Sequence, residues 1–150
     1  MNPGSIELLP AERARQLTEL AEKARDYLTR LARSDVSYDA TGVQLLDEWI
    51  ERYLQFASDP PTNTRLAWTA FLGEVLRRRF GCEWALQEDG TGHRSVILVY
   101  SVGVSDQKSI DISAQIGKRI TDGIAASAAC FYLATAIELR SRDIESSEIP

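Results

Sequence analysis

One histidine, two cysteines and one methionine are scattered through this chain of 150 residues, and their scarcity excludes several chemistries at once. Cys82 and Cys130 belong to no CxxC pair and no ladder of histidines accompanies them, so zinc and thiol-redox motifs are absent and no metal site is expected. Both cysteines are expected to be reduced core residues. His93 falls in a turn rich in glycine, where a Ser-His-Asp or Cys-His arrangement would have to be built on a loop, and no catalytic residue is expected. No cofactor is expected either. The Gly90-Thr91-Gly92 turn resembles a phosphate loop only superficially, since no helix follows it and Glu88 and Asp89 would repel phosphate. No apolar leader follows Met1 and no run approaches the about 18 apolar residues of a membrane helix, so a cytoplasmic location is expected.

What is present is ordinary globular material. A composition of 44% hydrophobic and 26% charged residues argues against disorder, and the length fits one domain over residues 1–150. A net charge of −5 argues against nucleic-acid and anionic-membrane partners. The charge is uneven: Ser34 to Pro61 holds six acidic residues and one basic, whereas Thr62 to Gly81 holds four basic and one acidic. The acidic segment is therefore expected to pack beside the basic end of the next one, with a partner-facing patch as the alternative.

After a short lead from Met1 to Leu9, Leu17, Leu20, Ala21, Ala24, Tyr27, Leu28 and Leu31 recur at three and four, predicting an amphipathic helix from Pro10 to Arg33. Thr41 and Gln44 have capping-box spacing, and a second helix follows to about Ala57 with Leu46, Trp49, Ile50, Tyr53 and Leu54 inward. Pro60 and Pro61 end it. A third helix, from Asn63 or Thr64 to Phe80, carries Trp68, Leu72, Val75 and Leu76 on one side and Ala67, Ala70 and Gly73 opposite, so its first turns read as buried all round. Gly81 is its expected left-handed cap.

Beyond Gly81 the period becomes two, with Cys82, Trp84 and Leu86 on one face, and Ser95 to Val102 supplies the return strand of a hairpin. A polar loop from Ser105 to Ser109 precedes a short third strand at Ile110 and Ile112. Ala114 to Asp122 reads as a short helix with Ile116 and Ile120 inward and Lys118 and Arg119 outward. From Gly123 to Ile137 no residue is charged, which predicts a buried helix or, because Ala and Ser permit close approach, a homodimer interface. Residues Arg140 to Pro150 form a polar tail. The expected fold is α+β: three N-terminal helices, a two- or three-stranded antiparallel sheet and a buried C-terminal helix.

The stretch FLGEVLRRRFGCEW from Phe71 to Trp84, followed by IGKRITDG from Ile116 to Gly123, resembles a family of bacterial domains of unknown function marked by L-G-E-x-L, G-x-x-W and a later K-R-x-x-x-G. The similarity runs from about Leu46 to Gly123. It implies an α+β domain without an established reaction or cofactor, so no catalytic residue is carried over. Related domains include small accessory proteins that resemble toxin-neutralising immunity proteins. The helix from Pro10 to Arg33 lies outside the resemblance and is expected to be an accessory element.

Glu74 is the foremost candidate for a functional carboxylate, because small neighbours would leave a pocket and burial would raise its pKa. An ion pair with Arg77 or Arg78, at spacings of three and four, is the simpler explanation. Lys118 and Arg119, together with Arg77 and Arg78, are candidates for an anion or partner patch, and Asp47, Glu48 and Glu51 for an exposed acidic face. The expected function is a non-catalytic, immunity-like module that binds another protein. Two alternatives stand beside it: a small-molecule-binding protein or cryptic enzyme with Glu74 at the floor of a pocket, and a homodimeric scaffold closing through Ala125 to Ile137.

Overall fold

The chain folds around one long helix that is buried in its middle turns, with helices on one side and a sheet on the other. A computed structural model describes residues 6–102 and 106–148. In chain order the elements are β1 (Ile6–Leu8), α1 (Ala11–Ala32), α2 (Ala40–Phe56), α3 (Thr62–Phe80), β2 (Glu83–Glu88), β3 (Arg94–Val102), β4 (Asp106–Ile110), α4 (Ile112–Asp122), a 3-10 turn (Gly123–Ala126) and α5 (Ala128–Glu148). The architecture is α+β, as expected, with four strands where two or three were expected, followed by two helices, of which α4 corresponds to the short helix expected from Ala114 to Asp122.

Every residue of α3 from Trp68 to Leu76 is buried, because both faces meet protein. Large residues fill one side, while Gly73 and Ala70 admit neighbours closely on the other. The helix ends where Gly81 turns left-handed at φ 72° and its amide donates to the Arg77 carbonyl at 2.9 Å, as its lack of a Cβ allows. Around it, α1 buries Leu17, Ala21, Ala24 and Leu28, and α2 buries Val43, Leu46 and Ile50, each at helical spacing. The α1 stripe joins the same core as the rest of the chain. Asp39, rather than Thr41, caps α2, its carboxylate accepting from the Gly42 amide at 2.9 Å.

The sheet is an antiparallel meander in the order β1-β2-β3-β4. Trp84 pairs with Leu98, and Leu98 with Ile110, so these three share the face turned to the helices and enter the main core. Ala85, Ile97 and Val99 form a smaller cluster on the opposite face with Ile6 packed against it. Two sequence expectations need correction here. The N-terminal lead contains an edge strand, β1, whose Leu8 pairs with Ala85. Most of the expected loop from Ser105 to Ser109 is strand β4, whereas Ile112 begins α4. An unbroken polar run from Asp106 to Ser109 concealed it, since an edge strand needs no apolar period to satisfy its backbone.

The uncharged stretch after Asp122 is not one buried helix. It bends through the 3-10 turn, and α5 starts after Ser127, whose hydroxyl accepts from the Cys130 amide at 3.1 Å. Only one side of α5 is inward: Ala128, Tyr132 and Leu139 are buried, while Leu133 and Ile137 are 57% and 68% exposed. Cys82 lies in the core as expected, but Cys130 is exposed on that outer side. The helix continues through the expected polar tail as far as Glu148. Among the described residues, no single helix is long and apolar enough to cross a membrane.

Candidate functional site

Six of the eight residues singled out in the sequence assemble into two polar clusters, Glu74, Arg77 and Arg78 in one and Asp47, Glu51 and Arg119 in the other. The first is built by the last turns of α3 and by β2. Spacing of three and four brings Arg77 and Arg78 over Glu74, which is wholly buried. Arg77 donates through Nε and Nη2 to the two carboxylate oxygens at 2.6 and 3.0 Å, and Arg78 Nε donates to Oε2 at 2.9 Å. A fourth donor comes from the sheet, where Trp84 Nε1 reaches Oε1 at 3.1 Å. The Trp84 ring lies against Gly73: a Cβ there would stand 2.0 Å from Cη2 and 2.5 Å from Cζ2. Glycine, glutamate and tryptophan of the two short motifs thus form one clasp between helix and strand.

Burial pushes the Glu74 carboxyl up, but hydrogen bonds from Arg77, Arg78 and Trp84 outweigh it and hold the pKa below its ordinary value of 4.5. This reverses the expectation that burial would raise it: four donors stabilise the carboxylate more than desolvation penalises it. A lowered folded pKa gives stability that is present above 4.5 and is lost as the pH falls through the folded value. Stability against urea is therefore expected to fall below that pH in the wild type, and less steeply in Glu74→Gln by the one proton that Glu74 binds. Equal slopes for the two proteins would contradict the ionised clasp.

The clasp extends to α1 through residues that carry no motif. Arg78 Nη2 lies 3.4 Å from Glu22 Oε1, its guanidinium sits 4.0 Å above the Tyr38 ring, and the Tyr38 hydroxyl donates to the same Glu22 oxygen at 2.6 Å. Burial, then the bond to Glu22, raises the Tyr38 pKa well above its usual range. Sequence spacing offered no sign of Glu22 or Tyr38, because 56 residues separate Glu22 from Arg78.

The second cluster joins α2, α4 and α5. Asp47 is buried, and its Oδ1 accepts from Arg119 Nε at 3.0 Å and from the Ala128 amide at 2.9 Å, while Oδ2 accepts from the Ala129 amide at 2.9 Å. The carboxylate thereby satisfies two amides at the start of α5, where the helix dipole favours negative charge. Arg119 is wholly buried, and its Nη2 donates to the Asp47 carbonyl at 3.2 Å and to Glu51 Oε2 at 2.9 Å. Two expectations fail here: Asp47 does not lie on an exposed acidic face, and Arg119 does not point outward. Ile112, Ile116 and Arg119 are the buried residues of α4, at spacings of four and three. Asp47 likewise falls between Val43 and Ile50 on the inward side of α2. Helical period placed both inside, and their mutual charge made that tolerable. Nor do the acids of α2 neutralise the arginines of α3: Asp47 and Glu51 bind Arg119, and Arg77 and Arg78 bind Glu74 and Glu22. The candidate patch of Lys118 and Arg119 with Arg77 and Arg78 does not form, since Arg119 is turned into the second cluster. Lys118 and Glu48 remain exposed.

A cleft of about 350 Å³ adjoins the first cluster, with Leu8, Arg15, Arg77, Cys82, Glu83 and Trp84 among its walls. Glu74 does not line it, because Arg77 and Trp84 stand between. Burial raises the Cys82 thiol to about 11, which keeps it protonated and poorly nucleophilic. A second hollow, of about 180 Å³, lies between α1 and α2 and is walled by Tyr27, Leu31, Trp49, Arg52, Tyr53 and Phe56. Tyr27 and Trp49 rings are 4.4 Å apart, Trp49 and Tyr53 both pack edge-on to buried Trp68, and Phe56 is 91% exposed. Among the described residues, no group of three or more His, Cys, Asp or Glu is placed to hold a metal ion.

No family model matches the chain, and no curated protein matches its sequence. A crystal structure of an uncharacterised protein from Bacteroides thetaiotaomicron VPI-5482 is similar over 90% of this chain, with a TM-score of 0.67 and 16% sequence identity. This chain spans about half of that one, 48% of its length. At such identity the likeness is one of fold alone.

Proposed function

We propose that this protein is a non-catalytic module that binds another protein, with the hollow between α1 and α2 as its contact surface. The observation that carries this reading is the division of labour among its side chains. Glu74, Arg77, Arg78, Asp47 and Arg119 are engaged in internal pairs that join elements, whereas a rigid aromatic wall with Phe56 at its rim faces solvent. Tyr and Trp anchors of this kind supply contact area at low entropic cost. Glu48 is exposed on the same helix, whereas Glu51 is already held by Arg119 and Arg52 walls the hollow itself, so the partner that fits is a protein presenting an apolar segment with a cation placed to meet Glu48. Toxin neutralisation, in the manner of an immunity protein, is the specific form suggested by the resemblance that the stretches from Phe71 to Trp84 and from Ile116 to Gly123 bear to the family of bacterial domains of unknown function.

Phe56→Asp tests it. The tagged wild type is expected to retain a stoichiometric protein from its native lysate at low salt, and the variant, with unchanged thermal stability, to lose it. Glu48→Lys is expected to weaken retention about tenfold by replacing attraction with repulsion, in the range of a hydrogen-bonded charge at a binding rim. Recovery of no stoichiometric partner, or equal retention by all three proteins, would refute the proposal.

A further inference from the structure

The outer side of α5 is apolar at a spacing that a helix uses to meet another helix. Cys130, Leu133, Ala134 and Ile137 stand at i, i+3, i+4 and i+7, all exposed, opposite the inward row of Ala128, Tyr132 and Leu139. No charged residue occurs from Gly123 to Ile137. Glu138, the first acid after the stripe, is held by Lys108 of β4, so its charge is neutralised within its own chain.

We propose that this face binds a second copy of the chain, the two α5 helices packing antiparallel about a two-fold axis that passes between Leu133 and Ala134. The choice of occupant follows from sizes. That axis places Leu133 of one copy against Ala134 of the other, and Ile137 against Cys130, so each large exposed side chain meets a small one at all four positions. The same axis brings Glu138 level with Ala129 and Arg140 level with Ser127, so that neither of these two charges meets a like one. A parallel arrangement in register would instead set Leu133 on Leu133 and Ile137 on Ile137, leaving gaps at Cys130 and Ala134. This interface is separate from the hollow between α1 and α2, so it goes beyond the proposed function and either can fail without the other.

The register is testable with the cysteine already present. In the antiparallel pair the two Cys130 residues are offset by seven positions, about 10 Å along the helix axis, too far to bridge. Ile137→Cys sets the introduced thiol of each copy against Cys130 of the other, while within one helix the two thiols remain about 10 Å apart. Under mild oxidation Ile137→Cys is expected to yield a covalent dimer, and the wild type to yield none. Light scattering of the reduced wild type should give a mass rising with concentration toward twice the 16.7 kDa of one chain. Leu133→Lys, exposed in the single chain and therefore without effect on the melting temperature at concentrations where the wild type is monomeric, should weaken association at least about tenfold. A wild type that stays monomeric to millimolar concentration, with no crosslink in Ile137→Cys, would overturn the proposal. Efficient crosslinking of the wild type would overturn the antiparallel register. Monomers that bind phosphatidylcholine vesicles through Leu133 would overturn it too, assigning the stripe to a lipid surface.

Discussion

Asp47→Ala is expected to lower the free energy of unfolding by about 3–5 kcal/mol, the cost of stranding one member of a buried ion pair. For a chain of this length that corresponds to a melting temperature lower by roughly 10 °C. Three losses coincide. Arg119 keeps its charge with no acid beside Nε, while its Nη1 is already buried without a protein partner. The amides of Ala128 and Ala129 lose their acceptors at the start of α5. The contact between α2 and the last helix then rests on apolar packing alone. Asp47→Asn separates charge from capping, since an amide oxygen still accepts from one of the two backbone donors, and it should cost less than alanine. Glu51→Gln is the control: Glu51 is half exposed, and its loss should cost under about 1 kcal/mol. Urea titrations of the three variants decide the matter, and an Asp47→Ala protein within about 1 kcal/mol of wild type would show that the cluster contributes little.

Gly73→Ala is the second large effect, expected to destabilise by about 3 kcal/mol, at the upper end of the usual cost of overpacking. The added methyl would meet the Trp84 ring at 2.0 Å, and that ring is fixed by its own hydrogen bond to Glu74. It cannot rotate away without giving up a donor to a buried carboxylate. Trp84→Leu provides the diagnostic pair, because the smaller side chain leaves room for the methyl that Gly73→Ala adds. The double variant should then be less destabilised than the sum of the single ones by at least about 1 kcal/mol. Strict additivity would mean that the clash is relieved elsewhere.

These two positions differ in how they announce themselves. Gly73 and Glu74 stand in a short motif, and the pairing of Glu74 with Arg77 and Arg78 follows from one turn of helix, whatever else the chain does. What the motif did not disclose was that Trp84 completes the set, with the indole N–H as fourth donor. Asp47 and Arg119 carried a fainter signal. Each occupies an inward place in its own helix, and a charged residue there is better read as half of a buried pair than as part of a polar face. Reading charge before period put Arg119 outside and Asp47 on the surface.

Neighbouring residues were enough to specify the helices α1 to α4, the hairpin of β2 and β3, the left-handed end of α3 at Gly81 and the local pairs of Glu74. All of these depend on contacts within a turn of helix or across one tight turn, so the periods and caps that produce them are written in the nearby chain. Long-range packing was needed to place β1 at the sheet edge, to let Asp47 cap a helix 81 residues away and to bend the apolar stretch after Gly123, with one face buried and one open. A three-residue strand has too short a period to read. A carboxylate can satisfy a distant helix start only after α2 and α5 have packed, and which half of an apolar helix faces water is fixed by its neighbours rather than by its own residues.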